Sequence, residues 1–386
     1  MLQIVSFGVA ALYSGMWCLR RARAGGLEGA WGQLGLFSGM VCVGSVAGAV
    51  AWGLNMQSYA LLYEASVPGV MPHRFYTLYA STFRFGAVVF IIYSFEFLCL
   101  IISKLMLLGR LATNATQSSQ TEVAGMSGVR RRWLSGRTLP NVYRVMAGAV
   151  VVGGVVGMVA NTVAGAYTVQ VALLFDQAAA ACDAAGNDTN SSLALANAAN
   201  PIAAKGGTAA SVQASSEALT LLLVSIAFVV IVSWSVALFR LAERFAMGAL
   251  VFVNDRGNLR PAEANAALVR IVGDTMQAAA EQRRRLTAAC VILLITFPAR
   301  AAFDLLLVYS SFNDPVNPAC GLCDPCQSTQ VLIAIWLNYT PEFQAIVVAV
   351  SSPLPLTLSL WLVTKAHARA RLIAADVERV RAGDGV

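Results

Sequence analysis

The sequence predicts an all-α membrane protein, a seven-transmembrane-helix bundle with its N-terminus outside and its C-terminus in the cytoplasm. Three observations carry that expectation. Seven apolar stretches lie along the 386 residues, at 2–19, 31–54, 77–103, 145–171, 218–239, 286–310 and 342–364. Only 12% of residues are charged and 58% are hydrophobic, where a soluble domain carries about 25% charge. The positive charge is also sorted. Of 27 Lys and Arg, all but Arg74, Arg84, Lys205 and Arg300 fall in the gaps after the first, third and fifth stretches or in the C-terminal tail. An excess of Lys and Arg marks cytoplasmic loops, which puts those gaps inside. The net charge of +7 is then read as orientation and contact with anionic lipid, and no nucleic-acid partner is expected. The location expected is a plasma membrane or endomembrane.

The first span begins Met1-Leu2-Gln3-Ile4, and its basic cluster, Arg20, Arg21 and Arg23, follows it. A cleavable signal peptide has the reverse order, so the span is expected to stay as a helix. In the second span Gly35 and Gly39, then Gly44 and Gly48, stand four apart. In the fourth, Ala149, Gly153, Gly157, Asn161 and Gly165 share one helical stripe. Small residues at this spacing let membrane helices approach closely. Packing within one bundle is expected ahead of a dimer face, with Asn161 hydrogen-bonded to a neighbour.

The gaps are expected to differ from one another. Residues 109–140 are rich in Ser, Thr and Gly, with Arg130, Arg131 and Arg132 near the end, and read as a flexible cytoplasmic loop. Residues 176–216 are low-complexity Ala, Asn, Ser and Gly. Such sequence lacks the apolar content for a core in water and reads as a disordered outer loop. It holds two glycosylation sequons, at Asn187 and Asn190. Residues 261–285 read as an amphipathic cytoplasmic helix. Pro261 suits a first turn, and Leu268, Ile271, Val272 and Met276 recur at helical spacing before Arg283-Arg284-Arg285. It either packs on the bundle or lipid surface, or meets a cytoplasmic partner.

Four cysteines, Cys182, Cys320, Cys323 and Cys326, fall on the outer side. Two disulfides from these four allow three connectivities. The rival is a metal site on the Cys320–Cys326 run. No His lies near it, His73 and His367 being the chain's only two, so no metal is expected.

Ionisable groups within hydrocarbon are costly and default to functional hypotheses. Arg84 and Glu96 lie in the third span; Arg300 and Asp304 lie in the sixth, just after Pro298. The i,i+4 spacing lets Arg300 and Asp304 face each other, and Glu96 joins them if the two spans are neighbours. The set is either a fixed network that locks helix register, or a ligand site that breaks and re-forms. Pro298, and Pro353 and Pro355 in the seventh span, are candidate hinges because proline interrupts helix hydrogen bonding.

Several chemistries have no support. No Lys stands mid-span in the seventh stretch, as a retinal Schiff base needs. No phosphate-cradling glycine loop, catalytic metal cluster or Ser–His pair is evident. The expectation is a non-enzymatic protein without catalytic residues or cofactor. Its partners would be the lipid bilayer and an unknown ligand or membrane protein. A carrier of small solutes is the alternative, yet the internal repeat that carriers show is not evident. A structural subunit of a membrane complex is the third reading.

The last two spans carry a family resemblance. The run Phe297-Pro298-Ala299-Arg300-Ala301-Ala302-Phe303-Asp304-Leu305-Leu306, and a final span ending Pro355-Leu356-Thr357-Leu358-Ser359-Leu360-Trp361-Leu362-Val363-Thr364-Lys365, resemble the plant tobamovirus-multiplication seven-pass family and its orphan receptor-like (GPCR-like) relatives. Arg300, Pro355 and Lys365 are the matching positions. The resemblance implies a receptor-like seven-pass protein. The long loops depart from the compact ones of that family. No Asp-Arg-Tyr follows the third span and no Asn-Pro-x-x-Tyr occurs in the seventh.

Overall fold

The structure, a computed structural model, describes residues 2–31, 33–123, 138–184, 189–256, 262–312, 341–351 and 353–362. Among these residues there are helices and one turn, and no strand. Seven helices run in order: α1 Leu2–Trp31, α2 Gln33–Ala65, α3 Pro72–Val123, α4 Thr138–Ala184, α5 Thr189–Arg256, α6 Ala262–Phe312 and α7 Pro341–Ser351. Residues 353–362 are also helical.

Five of these helices are long and apolar enough to cross a membrane, over Gly35–Ala65, Pro72–Thr113, Asn141–Asp183, Asn190–Ala237 and Arg283–Leu306. They overlap the second to sixth apolar stretches of the sequence. The seventh stretch falls on a shorter apolar helix, Ile346–Leu362. The first is helical within α1 but is not among the five. Gln3 at its start and Arg20 at its end bracket its apolar residues.

The turn between α2 and α3 follows from its sequence. Pro68 and Gly69 occupy the two central positions, Gly69 has φ 90°, and the Val70 N–H donates to the Val67 carbonyl at 3.4 Å. A type II turn needs positive φ at its third residue, which glycine adopts without strain. Pro72 then opens α3, where its missing N–H costs nothing.

The segment 176–216 departs from expectation. Helix α4 runs on to Ala184 and α5 starts at Thr189, so only residues 185–188 lie outside the described structure. The reason is packing: alanine and serine that build no core in water are the residues that seat one helix closely on another. The expected loop 109–140 is likewise helical as far as Val123, with 124–137 not described. The segment 261–285 is continuous helix from Ala262 into the sixth span.

The chain divides into two compact units. The first comprises Met1–Ser103, Ala149–Leu223 and Phe297–Leu354; the second comprises Lys104–Gly148, Val224–Thr296 and Pro355–Val386. Within the first unit, successive helices pack antiparallel through glycine. A Cβ at Gly48 of α2 would lie 2.6 Å from the Phe7 ring of α1, and one at Gly44 would lie 2.8 Å from Leu100 of α3. At Gly165 of α4 it would stand 3.2 Å from the Ala87 carbonyl oxygen of α3. Gly153 sits under Thr220 of α5, and Ser216 Oγ donates to the Gly153 carbonyl at 2.8 Å. Gly206 of α5 faces Tyr167 of α4. Helices α1 and α7 are also in contact. Within the second unit, Tyr143 fills the space over Gly109, and Ser359 Oγ donates to the Ala289 carbonyl at 3.3 Å.

The outward faces are apolar. Val5, Val9, Leu12, Met16 and Leu19 form an exposed stripe on α1, and Val152, Val155, Val159 and Val163 form one on α4. Continuous exposed apolar surface of this kind marks contact with lipid or partners.

Candidate functional site

The first unit holds a buried ionic network contributed by α3, α5 and α6. Its centre is Arg300 of α6, 5% exposed, with Glu217 of α5 at 3% and Asp304 at 2%. Arg300 Nη2 donates to Glu217 Oε1 at 3.0 Å. Its Nε stands 3.4 Å from Asp304 Oδ1, one turn further along the helix. Gln213, one turn before Glu217, donates from Nε2 to the other carboxylate oxygen at 2.6 Å. Tyr93 of α3 donates its hydroxyl to Glu217 Oε1 at 3.4 Å, and its ring lies under the guanidinium, 5.4 Å from centroid to Cζ. Phe303 flanks the same cation at 5.9 Å. One cation thus faces two carboxylates and two aromatic faces. Charge-assisted hydrogen bonds of this type are the stronger class, and the aromatic contacts add cation–π attraction.

Of the six residues in this arrangement the sequence pointed to two, Arg300 and Asp304. Arg300 and Asp304 are paired as their spacing implied. Glu96 is buried and follows Tyr93 by three residues, on the same face of α3. Arg84 belongs elsewhere: it pairs with Asp176 of α4 and lies nine residues before Tyr93, about 14 Å along the helix. Glu217, Gln213 and Tyr93 were missed. The signal for Glu217 was present, since it is the single acidic residue between Asp188 and Glu243 and directly precedes an apolar run.

A second polar contact ties α4 to α3. Asn161 Nδ2 donates to Ser94 Oγ at 2.7 Å and to the Phe90 carbonyl at 3.1 Å. The neighbour expected for Asn161 is therefore α3. Nearer the turn at 66–71, Arg74 pairs with Glu64, and His73 Nδ1 stands 3.0 Å from Asp183. Phe83 stacks on Phe175 at 5.5 Å, beside Tyr79 and Tyr76. Aromatic groups and ion pairs at one end of apolar helices resemble a membrane–water interface.

The remaining sequence expectations divide. Pro298 lies inside α6, two residues before Arg300. Pro353 and Pro355 are helical and buried, while Ser352 between α7 and residues 353–362 is not described. Cys182 is buried with a free thiol, and among the described residues no disulfide forms. The expected pairing is thus not seen; Cys320, Cys323 and Cys326 lie outside those residues. Asn190 is exposed in the first turn of α5, and Asn187 is not described. No metal-binding group of His, Cys, Asp and Glu occurs among the described residues.

Comparison of the chain with protein-family models, curated proteins and solved structures gives no match.

Proposed function

We propose that the chain is a receptor-like, non-enzymatic membrane protein of seven crossings, N-terminus outside, in which the Arg300 network holds α6 until a ligand or membrane partner releases it. The observation that carries this reading is the guanidinium shared between Glu217 of α5 and Asp304 of α6, two residues after Pro298. A buried ion pair often adds little stability over well-packed apolar residues, because desolvation offsets the attraction. Its presence in an apolar helix therefore supports a role beyond packing. Pro298 has no N–H for the carbonyl four residues back, so bending costs least there. The exposed apolar stripes on α1 and along Ile346–Leu362, where Ile346, Val350, Leu354 and Leu358 face outward, support two crossings beyond the five long apolar helices. The resemblance to seven-pass receptor-like proteins belongs to this proposal.

Spin labels at Leu222→Cys and Leu305→Cys, both on exposed faces, report the α5–α6 distance in reconstituted protein. In folded Arg300→Met or Glu217→Gln variants the distance distribution is expected to shift or broaden relative to wild type. An unchanged narrow distribution would reduce the network to a structural lock. Solute uptake into proteoliposomes that Arg300→Met abolishes would assign the chain to carriers instead.

A further inference from the structure

We propose that the groove between α1 and α2 seats an acyl chain of an anionic glycerophospholipid, with the lipid phosphate held by Arg20 and Arg23. The groove encloses about 650 Å³, within the ~300–1,000 Å³ of small-molecule sites. Its walls are apolar: Leu12, Met16 and Leu19 of α1 and Val46 of α2, all exposed rather than packed on another helix. Gly15 and Cys42 form its floor, where α1 lies close on α2. A Cβ at Gly15 would lie 3.2 Å from Cys42 Sγ, so any larger residue narrows the space.

Two features select the occupant. The first is charge. Arg20 and Arg23 line the same groove at the end where α1 turns basic, and both are exposed. The Arg20 guanidinium lies over the Trp17 ring at 5.8 Å, and an aromatic beside a basic head is the usual composition of a headgroup-level anchor. The second is length. From Ala11 to Arg23 is about 18 Å of helix at 1.5 Å per residue. One leaflet of a ~30 Å hydrocarbon core is about 15 Å deep. The apolar wall from Ala11 to Leu19 is about 12 Å of this, most of one leaflet inward from the basic end, which seats the upper part of an acyl chain under a phosphate.

The inference rests on the proposed membrane crossing of α1, not on the Arg300 network. Native mass spectrometry of the full chain, loaded with phosphatidylglycerol or phosphatidylcholine, tests it. Wild type is expected to retain phosphatidylglycerol preferentially, and the Arg20→Ala/Arg23→Ala variant to bind it about thirty-fold more weakly, from the contribution of two arginines near a lipid surface. Gly15→Leu is expected to lose the same lipid with both arginines present. Equal retention of both lipids by wild type, or unchanged binding in the double-arginine variant, would overturn the proposal. A dimer that Gly15→Leu dissociates would give the groove to a second copy and overturn it as well. Leu12→Cys separates the two levels of failure. Rapid reaction with a water-soluble maleimide removes α1 from the bilayer. A shielded thiol with unchanged lipid binding in the arginine variants refutes the lipid site alone.

Discussion

Arg300 has four partners and almost no contact with water, and its substitution is correspondingly unequal to that of its partners. Arg300→Met leaves Glu217 and Asp304 buried without their shared cation. Removing one side of a buried pair costs about 3–5 kcal/mol. Glu217→Gln keeps an amide oxygen that accepts from Tyr93 and Arg300 but sets an NH2 against the Gln213 Nε2 donor. It therefore loses one acceptor without burying an unpaired charge and is expected to cost less, about 1–3 kcal/mol. Arg300→Lys is expected to restore little. Lysine lacks the planar fork that reaches Glu217 through Nη2 and Asp304 through Nε at the same time. Thermal unfolding in detergent orders the variants: wild type above Glu217→Gln, above Arg300→Met, with the Arg300→Met/Glu217→Gln double variant above the Arg300→Met single. A double variant as unstable as the sum of its singles would show that the two residues do not act together.

At the scale of elements, glycine and serine set the spacing of helices. Interhelical polar contacts in membranes average about 0.6 kcal/mol, so close packing must supply much of the cohesion. Gly165 and Gly53 are a matched test. A Cβ at Gly165 meets backbone, the Ala87 carbonyl oxygen at 3.2 Å, while nothing lies within 4 Å of one at Gly53. Gly165→Ala is therefore expected to destabilise by about 1–3 kcal/mol through overpacking, and Gly53→Ala to stabilise by about 0.5–1 kcal/mol through backbone entropy. Equal melting temperatures for the two variants would contradict a close α3–α4 approach. The glycine stripe itself was legible in the sequence, since its four-residue period survives any partner. Its partner was not. Residues 176–216 read as disordered by a criterion made for chains that must bury apolar area in water, and the same Ala/Ser composition makes α5 narrow enough to lie on Gly153 and Gly157. Once α5 is carried back to Thr189, Glu217 falls inside the bundle, and Arg300, which the sequence paired with Asp304 and, for neighbouring spans, Glu96, is shared with Glu217. Arg84 was misassigned for the converse reason. Its place in an apolar stretch was visible, but its partner Asp176 lay in a segment expected to have no fixed position.

For the whole molecule the question is how many times the chain crosses. Helix α5, at 68 residues, is about 100 Å long, over three times the ~30 Å of hydrocarbon. Helix length therefore does not fix where the bilayer lies, and charge must. Near the turn at 66–71 Arg74 is matched by Glu64 of α2, and further along α3 Arg84 by Asp176 of α4. The basic clusters at 20–23 and 130–132 have no acid within four residues in sequence, while at 283–285 Arg285 pairs with Glu281. The excess of Lys and Arg lies in alternate gaps, and that is the asymmetry that orients membrane helices. Val67→Cys and Leu193→Cys, exposed near the ends of α2 and α5, should accordingly react with an impermeant thiol reagent on intact cells, in a chain otherwise free of cysteine. Thr113→Cys and Asn141→Cys, also exposed, should react only after permeabilisation. Tags at the two termini should fall on opposite sides, because the seven crossings proposed are odd in number. Termini on one side would leave either α1 or Ile346–Leu362 out of the membrane. If the missing helix were α1, Arg20 and Arg23 would no longer stand at a bilayer edge, and the orientation inferred from charge would fail with the first gap that defines it.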